Sequence, residues 1–85
     1  MDSGMISKIQ KARMYAEEPE RMQFESFRVA FRGEHNPHTV KYENGVWWCD
    51  CAFFQSHGVC SHSMALERVL GVMVKPIGVA AEVKA

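Results

Sequence analysis

CDCAFFQSHGVCSH, residues 49–62, holds all three cysteines of an 85-residue chain and closes on a histidine. The donors come in two pairs, Cys49-x-Cys51 and Cys60-x-His62, with eight residues between them. Three soft thiolates and one imidazole make a complete tetrahedral donor set, and Zn²⁺ is the ion that best suits such a mixture. Cys49, Cys51, Cys60 and His62 are therefore expected to hold one structural zinc ion.

The spacing sets the local structure. Residues two apart on a regular strand stand roughly 6–7 Å apart on one side, whereas zinc holds each sulfur at about 2.3 Å. The chain leaving Val46-Trp47-Trp48 must therefore tighten around Asp50. Cys60 stands at the entrance, and His62 in the first turn, of SHSMALERVL, which reads as a helix. Both can face back toward the strand end. Ala52 to Val59 is expected to be a connecting loop, with Gly58 as its turn before the second pair. Two plainer readings compete: three buried free cysteines beside a surface histidine, or a disulfide. The first leaves the gathering of every cysteine into one motif as coincidence, and in the second three cysteines cannot all pair within the chain.

The order CxC, short loop, CxH, with tryptophan before the first pair and an apolar helix after the second, resembles the SWIM-type zinc finger. The resemblance runs from Val40 to Val74. It implies a strand–strand–helix core, one zinc ion on Cys49, Cys51, Cys60 and His62, and roles in DNA binding and protein–protein contact. Trp47 or Trp48 matches the family's aromatic before the first pair, and Phe53 or Phe54 its apolar loop residue. Ser61 stands where the family often carries a basic residue.

At 47% hydrophobic content, 85 residues make one small domain. A domain this size buries only about 60% of its unfolded surface, so a metal is a natural supplement to its core. Ten basic residues balance ten acidic ones, which argues against an indiscriminate grip on phosphate. MDSGMISKIQ lacks the apolar run of a signal peptide, and no segment approaches the ~20 apolar residues of a membrane span. A soluble, cytoplasmic or otherwise reducing setting is expected, where thiols stay available to zinc.

The fold class expected is α+β: an N-terminal helix, a three-stranded antiparallel sheet, the zinc knuckle and a C-terminal helix. Residues 1–20 form the helical segment, capped by Asp2 or Ser3, with Met5, Ile6, Ile9, Ala12 and Ala16 at helical spacing and Lys8, Lys11 and Arg13 opposite. Pro19 breaks it. Residues 22–74 form the sheet and finger. From Met22 to Arg32 a strand places Phe27, Val29 and Phe31 on one face and Ser26, Arg28 and Arg32 on the other, with Phe24 out of register as at a bulge. After a turn at Gly33 to Pro37, Thr39 to Tyr42 resumes a strand, and Asn44-Gly45 marks a tight hairpin. One tryptophan of Trp47-Trp48 must face the core and the other away from it. The outward one is expected to be covered by the N-terminal helix. His35 and His38 read as solvated turn residues, and His57 as a spare beside the paired ligand His62. Ala65, Leu66, Val69 and Leu70 form the apolar stripe of the last helix, ended by Gly71. Residues 75–85 read as a loose tail.

Four protein donors close the metal's shell, and neither a phosphate-binding glycine loop nor a carboxylate pair beside a histidine is present, so an enzyme is not expected. Three functions are carried forward. The first is a zinc-stabilised module for a protein partner. The second is a small nucleic-acid binder using Lys8, Lys11, Arg13, Arg28, Arg32 and Lys41 with Trp47 or Trp48. The third is a switch in which thiolate oxidation ejects the metal. No membrane and no small-molecule substrate is expected.

Overall fold

The computed structural model describes residues 2–77. Helix α1 (Ser3–Ala16) is followed by a short 3-10 turn (Pro19–Arg21), strands β1 (Ser26–Arg32), β2 (Pro37–Glu43) and β3 (Val46–Cys49), helices α2 (Ala52–His57) and α3 (Ser61–Leu70), and a second 3-10 turn (Gly71–Met73). The sheet is antiparallel, in the order β1-β2-β3. The expected α+β arrangement is present.

The β2–β3 hairpin turns on Asn44 and Gly45, both at positive φ (47° and 94°), as a type I′ turn requires. Its register sets Val40 opposite Cys49, Lys41 opposite Trp48 and Tyr42 opposite Trp47. Because side chains alternate along a strand, Val40, Tyr42, Trp47 and Cys49 all point to one face. That face is the core, closed by Cys51, Phe54, Cys60, Val74 and Ile77.

The chain after α3 is fastened to the hairpin. Lys75 N donates to Tyr42 Oη (2.9 Å), Trp47 Nε1 donates to Lys75 O (3.0 Å), and Ile77 N donates to Glu67 Oε2 (2.8 Å). Of the segment expected to be a loose tail, Lys75–Ile77 is thus held in place and Ile77 is buried; residues 78–85 lie outside the described residues.

Several expectations are corrected. The first strand starts at Ser26, not Met22, because Phe24 N is engaged by Met73 O (2.8 Å) and Gln23 Nε2 by Val72 O (2.8 Å). These bonds draw residues 23–24 onto the second 3-10 turn, and Phe24 sets its ring edge against Phe27. Helix α1, capped by Asp2 Oδ1 accepting from Met5 N (2.7 Å), ends at Ala16 and buries none of its residues. It does not bury Trp48, which remains 39% exposed. Val69, placed by its spacing in the inner stripe of α3, is 75% exposed; only Leu66 and Leu70 of that stripe pack on the core cluster. Ala52–His57, expected as a loop, is the helix α2.

Candidate metal centre

Three elements deliver the four donors. Cys49 is the last residue of β3 and is fully buried opposite Val40. Cys51 is the N-cap of α2, its Sγ accepting from Phe54 N (3.4 Å). Cys60 is the N-cap of α3, and His62 lies in that helix's first turn. The helix α2 between the pairs explains how eight residues close the gap: its coil shortens the path, buried Phe54 anchors it, and Gly58 at φ 77° ends it in the left-handed conformation.

The donor atoms of Cys49, Cys51, Cys60 and His62 all lie within 4.8 Å of one another. His62 Nδ1 stands 3.6 Å from Cys49 Sγ and 3.6 Å from Cys60 Sγ. A tetrahedron with sulfur at about 2.3 Å and nitrogen at about 2.0–2.1 Å from its centre has S–N edges of roughly 3.5–3.6 Å. The donor set therefore fits one zinc ion, with Nδ1 as the imidazole donor. His57 is not among the donors; its Nδ1 lies 3.1 Å from Phe53 O and its ring stacks on Phe53.

The surroundings prepare the thiols unequally. Burial pushes the Cys49 thiol up to about 12, with the neighbouring Cys51 and Cys60 thiols adding to the rise. Burial acts on Cys60 in the same direction, but the backbone N–H and hydroxyl of Ser63, together with the Cys51 and Cys49 thiols, outweigh it and hold Cys60 below its ordinary value. Ser63 is fully buried: its Oγ accepts from Cys60 N (3.1 Å), donates to Cys60 O (3.1 Å) and lies 3.7 Å from Cys60 Sγ. Gln55 Nε2 donates to Cys49 O (2.7 Å), tying α2 back to the strand end.

A second layer surrounds His62. Phe31 meets its ring edge-on at 5.0 Å, and the His38 ring lies against it at 4.4 Å. His38 Nδ1 is 2.8 Å from Asp50 Oδ1, while Asp50 Oδ2 accepts from Thr39 N (3.2 Å). The His38 hydrogen bond is the main cause that holds the Asp50 carboxyl below its usual range. Gly33 closes the remaining side: a β-carbon there would stand 3.3 Å from His62 Nε2 and 3.0 Å from Asn36 O. His38 is thus a strand residue packed on a ligand, not the solvated turn residue its sequence context suggested; His35 is exposed in the turn as expected.

The candidate partner residues divide. Cross-strand register aligns Arg28, Lys41 and Trp48 in one row over the outer face of the sheet, with Lys41 Nζ 4.9 Å from the Trp48 ring centroid. Arg32 lies on the same face at the far end of β1. Arg28, Lys41, Glu43, Val46 and Trp48 line a groove of about 480 Å³. Trp47 belongs to the core instead, at 7% exposure. Lys8, Lys11 and Arg13 sit on α1, a separate element with no acidic residue between Ser3 and Ala16. Among the described residues no helix is long and apolar enough to cross a membrane.

Residues 38–71 match the family model described as SWIM zinc finger, a span that takes in all four donors, β2 from its second residue, β3, α2 and α3. No curated protein and no solved structure matches the chain.

Proposed function

We propose that the SWIM zinc finger at residues 38–71 acts as a zinc-held protein-interaction module, with the outer face of the sheet as its contact surface. The ion's chemistry here is structural: bound by three thiolates and an imidazole, it has no open position for substrate. The four donors tie the end of β3 to the starts of α2 and α3, which fixes the sheet on which the outer face is displayed.

The observation that carries this reading is the Arg28–Lys41–Trp48 row. Arg28, Arg32 and Lys41 take part in no ion pair among the described residues, although the chain as a whole is neutral. Unpaired cations beside a half-exposed tryptophan and an exposed valine, Val46, have the composition of a binding surface, where Trp and Arg are the residue types that concentrate affinity. Val46 and Glu43 add apolar and acidic character that suits a protein surface more than a phosphate chain.

A nucleic-acid role is the second reading, favoured by the acid-free stretch of α1 carrying Lys8, Lys11 and Arg13. A photo-crosslinking side chain in place of Trp48 distinguishes the two in cells. Zinc-dependent crosslinks to protein, lost when Arg28 and Lys41 are changed to Glu, are expected; crosslinks to RNA or DNA would replace this reading with the second.

A further inference from the structure

The sheet is covered unevenly. On the inner face of β2 and β3, Val40, Tyr42, Trp47 and Cys49 are 0–7% exposed. On β1 the corresponding residues Phe27, Val29 and Phe31 are only half-buried. β1 is also an edge: it pairs with β2 on one side. Among the described residues, no hydrogen bond outside that pairing begins or ends on Ser26–Arg32. Every second residue of β1, with its backbone N–H and C=O turned away from β2, therefore meets solvent, along a strand that is half-covered on one face and bears Arg28 and Arg32 on the other.

We propose that β1 is a docking edge for an extended acidic segment of a protein partner, which adds to the sheet as a fourth strand. The reading rests on the protein-interaction role above and specifies the partner. Strand addition satisfies the free backbone groups of β1 by main-chain pairing, and alternate side chains supply selectivity. On the outer face, carboxylates at alternate positions of the segment stand beside Arg28 and Arg32, neither of which has an acidic partner among the described residues. On the inner face, the segment's intervening apolar side chains cover the open flank of Phe27, Val29 and Phe31. The recognition pattern is thus acid and β-branched residues in alternation over about five to seven positions.

Charge and geometry select this occupant over two others. A second copy pairing β1 to β1 would gather four arginines on one face with no carboxylate among them. Single-stranded nucleic acid needs an open aromatic face for stacking, and Lys41 Nζ already lies over the Trp48 ring.

The test uses the full zinc-loaded chain and a peptide of about nine residues alternating Glu with Val or Ile. Its control has the same composition with the glutamates in one block. Binding of the alternating peptide is expected, with amide shifts and slowed exchange concentrated in Ser26–Arg32. The blocked control and the Arg28→Glu/Arg32→Glu variant should each bind roughly tenfold more weakly, with Arg28→Lys/Arg32→Lys in between. Zinc content and far-ultraviolet circular dichroism of the variants should be unchanged. Equal binding of the two peptides would reduce the effect to bulk charge. Undiminished binding after charge reversal would leave the arginines only the role of keeping a bare edge from aggregating. Absence of binding, a dimer in native mass measurement, or tighter binding of an oligothymidylate through the same residues would each overturn the proposal. If protein crosslinks from Trp48 persist while the alternating peptide fails, strand addition falls and the broader interaction role stands.

Discussion

Asp50 sits between two metal ligands in sequence, yet its carboxylate turns outward, 2.8 Å from His38 Nδ1, and the His38 ring in turn lies 4.4 Å from the ligand His62. The residue that separates Cys49 from Cys51 is therefore connected to the opposite side of the site through β2. Removing that link should loosen the imidazole without deleting a donor. Outer-layer partners that bond directly to a ligand are worth about 10–100-fold in metal affinity. Here the link is a ring contact, so Asp50→Asn and His38→Ala should each lower zinc affinity by about 3–10-fold, measured by competition with a chromophoric chelator. The acid limb has a definite sign: the Asp50 carboxyl is held below its ordinary value, so its contribution is present above that value and is lost as pH falls through the lowered one. Asp50→Asn should flatten that limb.

Stripping the metal should unfold the finger. Structural zinc supplies on the order of 10–16 kcal/mol in finger peptides, against the roughly 5–15 kcal/mol that holds a typical domain together. Chelator treatment or Cys60→Ser is expected to abolish the cooperative thermal transition seen by circular dichroism. A transition retained at the same temperature would mean that the core stands without the ion.

Ser63→Ala removes the acceptor of Cys60 N inside the core. An orphaned buried N–H costs about 1–3 kcal/mol, read as a lower midpoint in denaturant titration of the zinc-loaded protein. Ser63→Thr, which keeps the hydroxyl, should recover part of the loss.

Zinc uptake should release protons, and more of them at lower pH. Burial pushes the Cys49 thiol up to about 12 in the folded arrangement, and in an unfolded chain a thiol is likewise protonated at neutral pH, so its proton must be displaced by the ion, and affinity rises with pH. Calorimetry in buffers of different ionisation enthalpy counts the protons.

Deleting residues 1–16 should leave zinc affinity and unfolding midpoint unchanged, since α1 has no buried residue. A large loss of stability would show that the helix packs on the sheet after all.

The ligand set was legible because metal coordination leaves its mark as spacing: two donors at a strand end and two at a helix start need no knowledge of the rest of the chain. The hairpin was legible for a similar reason, since Asn44-Gly45 alone meets the turn's demand for positive φ. The role of His38 was not, because it depends on β1–β2 register and on where α3 crosses the sheet, neither of which is encoded near residue 38. Helix α2 escaped notice because AFFQSH is short and lacks apolar periodicity; its start is set by a cysteine cap, Cys51, outside the usual capping residues. The expected cover for Trp48 failed because the residues before β1 are bound to the Gly71–Met73 turn, and a lysine across the strand takes the helix's place over the ring.

The fastening of Lys75 to Tyr42 and Trp47, with Ile77 buried just beyond it, bears on how this finger can be joined to other proteins. A linker grafted anywhere before residue 78 cuts into the hydrophobic interior, however unstructured Lys-Pro-Ile looks on paper. An appendage at the other terminus rides on a helix whose loss the interior would not register. Tags, fluorophores and fused domains therefore belong ahead of Ser3, and any shortened finger must keep Lys75–Ile77.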